Sequence, residues 1–208
     1  MKSEVKKVLQ AICNRISNQL VFARIIEEKD RPIYDYGIYL TLMTMLTVST
    51  IIILGFFWGK IGLTLVFIFI IASMRHYTGG YHANHYWQCY LLSCMSYCAV
   101  IYLASNTIML NTMFLPVIGS IAMIYNLAIG SLNSDKNPKT PQEMILRMKR
   151  ARYIFILYDI VSLTGIFFNL GEIAIWLIIV WSQIIVMFSL LITQIQRRYF
   201  KWKLKRQC

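Results

Sequence analysis

The chain has 208 residues, 58% of them hydrophobic and only 14% charged, with a mean hydropathy of +0.56 and a formal net charge of +12. Such a composition excludes an ordinary soluble domain of this length and indicates an integral membrane protein. The basic residues flank apolar runs instead of forming a stripe, and no recognition motif accompanies them, so the expected partner is an anionic bilayer and no nucleic acid.

In chain order, the first predicted element is an amphipathic interfacial helix within 1–30. Val5, Val8, Leu9, Ile12, Ile16 and Leu20 recur at spacings of three and four and build one apolar face, with Lys6, Lys7, Asn14 and Arg15 elsewhere. Such a helix lies on the membrane surface. Apolar runs follow at approximately 36–58, 62–74, 90–104, 113–132, 153–169 and 173–193, separated by short polar links. They predict an all-α integral membrane protein, one membrane domain over 1–208 with about six membrane helices. The run 62–74 reaches only about 20 Å at a rise of about 1.5 Å per residue. Four full spans plus a re-entrant hairpin is therefore the alternative.

The links set the orientation. Seven basic residues precede position 36, Arg75 stands alone in the second link, six lie in 136–152 and six in 197–206, which leaves Lys60 as the one cation on the other face. The positive-inside rule places both termini, the link 75–89, the basic loop 133–152 and the basic tail 194–208 in the cytoplasm. In that tail Tyr199, Phe200 and Trp202 alternate with cations, as an interfacial anchor requires. The five cysteines, Cys13, Cys89, Cys94, Cys98 and Cys208, are odd in number and scattered, and read as thiols.

All three histidines and one cysteine crowd into "RHYTGGYHANHYWQC", Arg75 to Cys89. Three readings compete. On one continuous helix His82, His85 and Cys89 share a face and have the donor types for zinc, but no carboxylate occurs from 36 to 134 and no HExxH-type base is present. Alternatively, Cys89 is a nucleophile whose proton goes to an imidazole. A straight helix would separate His82 from Cys89 by about 10 Å, too far for proton transfer. A turn at Gly79 and Gly80 removes that obstacle by folding His82 back over the start of the next helix, where Cys89 meets the positive end of the dipole. On periodicity His85, four residues from Cys89, is the nearer base, and the residues alone leave both open. The third reading is an interfacial loop without chemistry, which polar groups at membrane depth make costly.

The stretch resembles the AgrB peptidases of Gram-positive quorum sensing. Arg75, Gly79, Gly80, His82 and Cys89 stand in that family's R-x(3-4)-G-G-x-H-x(6)-C order. The similarity extends to the length, the basic amphipathic N-terminal segment, the hydrophobic layout, and the link "SDKNPKTPQE" with Lys136, Pro138 and Lys139. The resemblance implies a cysteine endopeptidase with Cys89 as nucleophile and His82, in preference to His85, as its base. Its implied substrate is an AgrD-type peptide precursor, cut through a thioester and cyclised to a thiolactone or lactone; it implies no metal or other cofactor, and a homodimer. Arg75 suits either the developing oxyanion or a carboxylate in the precursor's tail, and Lys136 and Lys139 suit an acidic tail. Asp159, inside the fifth apolar run, is a candidate to orient His82; otherwise it is a buried carboxyl paired with a cation from another helix. The rival classes are a small membrane transporter, which needs no thiol, and a zinc-dependent membrane hydrolase, which a chelator would silence.

Overall fold

The computed structural model describes residues 2–78, 86–106, 114–129 and 140–207; for 2–8, 86 and 196–207 the description stops at the backbone. These residues form seven α-helices: α1 (Lys2–Phe22), α2 (Arg31–Phe57), α3 (Ile61–Thr78), α4 (Tyr86–Asn106), α5 (Phe114–Ile129), α6 (Pro141–Phe167) and α7 (Ile173–Gln207). A single 3-10 turn, Glu28–Asp30, leads into α2, and no strand occurs among the described residues.

Four helices, α2 to α4 and α7, are long and apolar enough to cross a membrane, and α5 is a shorter apolar helix. The chain is a multi-pass membrane protein. α6 has 27 residues, but Arg147, Lys149, Arg150 and Arg152 occupy its first half, so only its second half is mainly apolar, with Asp159 as its one charged residue. The short run 62–74 proves longer than its apolar residues suggest. α3 continues through Arg75, His76, Tyr77 and Thr78 to 18 residues, about 27 Å at the helical rise. α4 has 21 residues. Length therefore gives no reason to fold this pair back as a re-entrant hairpin.

Contacts divide the chain into two compact units, Met1–Ile51 and Ile52–Cys208. In the first, the covered side of α1 is formed by buried Cys13 and Ser17 with half-buried Leu9, Ile16 and Leu20. Ile12, expected on the apolar face, is 40% exposed. Cys13 and Ser17 are small enough for close approach, and Asp35 and Tyr39 of α2 lie beside Cys13. Along α2 the hydroxyls of Thr41, Thr44, Thr47 and Thr50 each donate to the carbonyl four residues earlier. No hydroxyl in this set is left to face lipid without a partner.

In the second unit α7 is the hub, touching α3, α4, α5 and α6. From Ala174 to Leu190 it is buried on most sides, with Leu177, Ile178, Ile179, Val180, Ile184 and Val186 among the enclosed residues. The surrounding helices each bury one narrow stripe: Thr64, Phe67, Ile70, Met74 and Thr78 on α3, Leu115, Gly119, Ala122 and Asn126 on α5, Ala151, Phe155, Asp159, Ser162 and Gly165 on α6. Their outward faces carry Phe69, Ile121, Ile124, Leu157 and Ile160, apolar and exposed as a lipid solvent demands. Inside the bundle Asn126 donates its amide to the Gln183 carbonyl at 3.2 Å.

Close packing depends on glycine where the hairpin α6–α7 closes. A Cβ at Gly165 would run into the ring of Trp176. That ring is not free to move, because its Nε1 donates to the Leu170 carbonyl at 2.6 Å. Gly165→Val should therefore destabilise the fold by about 1–3 kcal/mol through overpacking. Thermal unfolding of the detergent-solubilised protein checks this, with Gly62→Ala as the control: a Cβ there meets no other side chain within 4 Å, and since Ala favours the helix over Gly its midpoint should not fall below wild type.

Candidate active site

Cys89 is the fourth residue of α4 and is half-buried. It therefore sits in the first described turn of that helix, toward the end where the positive pole of the helix dipole lies. At 3.6 residues per turn Cys89 lines up with Val100, three turns on and fully buried. It thus lies at the edge of the face that α4 turns to the bundle. Trp87 and Tyr90 stack beside it at 5.1 Å between ring centroids.

The other described thiols are less suited to attack. Cys94 and Cys98 occupy a stripe about half a revolution from Cys89, deeper in the span Trp87–Asn106, near whose start Cys89 lies. Cys13 is 3% exposed; burial pushes its thiol above the ordinary range, and the Asp35 carboxylate acts in the same direction. Cys13 is therefore held protonated and enclosed.

On the other side of the link, Arg75 lies half-buried in the last turn of α3. Two long-range hydrogen bonds from α6 fix that helix end. Arg147 donates Nη2 to the His76 carbonyl at 2.6 Å, and the hydroxyls of Ser73 and Tyr158 meet at 2.8 Å. A guanidinium on a C-terminal carbonyl also complements the helix dipole. α6 begins with a reciprocal cap, in which Thr140 accepts from the Glu143 amide and Glu143 accepts from the Thr140 amide, with Pro141 in the first turn. The basic loop thus ends in a stiff helix that grips the end of α3 from which the reactive link departs. Arg147 and Tyr158 escaped the sequence reading, since partners 71 and 85 residues away leave no local signal.

His82, Gly79, Gly80 and His85 lie outside the described residues, as do Lys136 and Lys139. The structure brings Arg75 and Cys89 to the two ends of their link. His76 is exposed and packs edge-on against Tyr77 at 4.8 Å. Asp159 does not have the cation partner expected of a buried carboxyl. It is 5% exposed and accepts from the Ser120 hydroxyl at 3.2 Å, with no ion pair among the described residues. Twelve residues, or about 18 Å of helix axis, separate it from Arg147 at the end of α3. Of the zinc triad only Cys89 is described, and no cluster of metal ligands occurs among the described residues.

The profile of the accessory gene regulator B (AgrB) family matches residues 10–190. An AgrB-like protein of Clostridium perfringens (strain SM101 / Type A) is 21% identical over 177 residues, covering 80% of this chain and 80% of that protein. A second AgrB-like protein, from Clostridium perfringens (strain 13 / Type A), is 20% identical with the same coverage. No solved structure matches the chain.

Proposed function

The chain belongs to the accessory gene regulator B family, and on that premise we propose that it is a membrane-embedded cysteine endopeptidase that trims and helps cyclise a quorum-sensing peptide precursor of the AgrD type. The observation that carries this reading is the position of Cys89. Of the four thiols whose surroundings are described, it alone sits in the first described turn of a helix, half-buried and beside the link that carries His82.

In this mechanism His82 takes the Cys89 proton and the thiolate attacks the scissile carbonyl. The tetrahedral oxyanion collapses, the C–N bond breaks, and His82 returns the proton to the departing amine. The C-terminal piece leaves, and the N-terminal piece stays on Cys89 as a thioester. A cysteine or serine side chain within the bound piece then attacks that thioester carbonyl, expels the Cys89 thiolate and closes a thiolactone or lactone. With a thiol acceptor this second step exchanges one thioester for another and needs no ATP. Water has to be kept away, because hydrolysis would consume the intermediate. Arg75 either steadies the oxyanion or holds a carboxylate of the departing tail. Lys136 and Lys139, in the basic loop, draw an acidic tail to the cytoplasmic face.

Reconstitution in liposomes with an acidic-tailed precursor tests the proposal. Wild type should release the tail and carry an adduct with the mass of the precursor's N-terminal piece that hydroxylamine removes, and a zinc chelator should change neither result. Raised salt should increase the apparent KM more than it lowers kcat. Cleavage without a hydroxylamine-labile adduct, even under rapid quench, would exclude the acyl-enzyme.

A further inference from the structure

At the end of α4 remote from Cys89, roughly 26 Å away at about 1.5 Å per residue, the turn between α2 and α3 meets the last turn of α4. Between them lies a cavity of about 130 Å³ lined by Trp58, Lys60, Ile101, Tyr102, Ser105 and Asn106. Lys60 is half-buried, and its ammonium donates to the Ser105 hydroxyl. Ser105 spends its own proton on the Ile101 carbonyl at 2.7 Å, so it acts only as an acceptor that fixes the ammonium at the cavity wall. Two of the three ammonium protons then have no acceptor among the described residues.

The local charge is uncompensated. No carboxylate occurs between positions 36 and 134. Among the described residues Lys60 forms no ion pair. The Lys60 carbonyl accepts from the Thr64 amide at 3.0 Å, which makes Lys60 the residue that opens α3. The first-turn amides of that helix add positive potential. A partly desolvated cation without a counter-charge is costly, and an anion supplied from outside removes the cost.

The surroundings specify the anion. Trp58 and Tyr102, 46% and 68% exposed, flank the cavity as aromatic residues do at headgroup level. Immediately before Trp58, Phe56 and Phe57 present apolar rings that are 77% and 78% exposed. A phosphate at Lys60 thus has a surface for acyl chains beside it, which free phosphate would not use. We propose that this cavity binds the phosphodiester of one anionic lipid, on the membrane face opposite the reactive link. The proposal does not depend on the peptidase reading.

Native mass spectrometry of the full chain in detergent, titrated with phosphatidylglycerol, tests it. Wild type should hold one phosphatidylglycerol saturably, Lys60→Arg should retain it, and Lys60→Gln should bind it at least about tenfold more weakly, the loss expected for one charge-assisted hydrogen bond. Equal binding by wild type and Lys60→Gln would overturn the proposal. Inorganic phosphate bound as tightly, with the same dependence on Lys60, would overturn the lipid assignment in favour of the free anion. A second measurement avoids altering Lys60. In nanodiscs, phosphatidylglycerol brominated near the headgroup should quench the emission that Trp58→Phe removes more strongly than phosphatidylcholine brominated at the same position, and equal quenching would count against a selective site.

Discussion

Replacing Cys89 by Ala should lower precursor cleavage at least about a thousandfold, because it deletes the group that forms the covalent intermediate. The membrane fold should be unaffected, since Cys89 is only half-buried and lies at a helix end. Cys89→Ser should be nearly as severe, a hydroxyl being a far weaker nucleophile than a thiol. Cys94→Ala and Cys98→Ala, on the other side of α4, should keep most of the activity. Tail release in liposomes, normalised to inserted protein, reads all four. Wild-type rates for Cys89→Ala, or loss of cleavage by a well-expressed Cys94→Ala, would move the chemistry to another residue.

The second large effect separates two histidines that helical spacing alone ranks the wrong way for this proposal. His82→Ala should slow acylation by about 10²–10⁴-fold, the usual contribution of a general base, whereas His85→Ala should retain most of the rate. Single-turnover formation of the thioester is the appropriate measurement, since it isolates the step in which the base acts. If His85→Ala proves the damaging change, the link forms a continuous helix through Cys89 and the turn at Gly79 and Gly80 has no catalytic role. Gly80→Val offers an independent check: if that position needs a positive φ, the variant should reproduce the His82→Ala defect with the imidazole intact.

Hydropathy revealed the helical class and the approximate segments, because a helix in lipid must be apolar over most of its length. It misjudged where α3 stops. Ser73 and Thr78 look like the polar end of a run, yet their hydroxyls bond back to Ile70 and Met74, so the helix continues through them. Periodicity in α1 picked out Leu9, Ile16 and Leu20, which lie half-buried, but gave no signal that the small residues Cys13 and Ser17 are buried beside them. At the candidate site, Cys89 and Arg75 stand out in the sequence through their setting between two apolar runs, and the structure locates both. The grip of Arg147 and Tyr158 on α3 was not legible, since nothing local distinguishes these residues from the other cations and tyrosines of α6. Asp159 misled for a related reason: a buried carboxyl suggests an ionic partner, and the sequence does not show that Ser120 faces it.

The central position of α7 has a consequence for how the protein is made. Translation delivers α3, α4, α5 and α6 to the membrane before the helix on which all four converge has been synthesised. Until residues 173–190 emerge, the faces that these helices turn to α7 are uncovered, although Asp159 can already meet Ser120 of α5. The insertion machinery must therefore hold a set of finished helices in an unfinished arrangement. Contacts of α6 with α3 and α5 can form earlier, but the core of the second unit is completed only by this last segment.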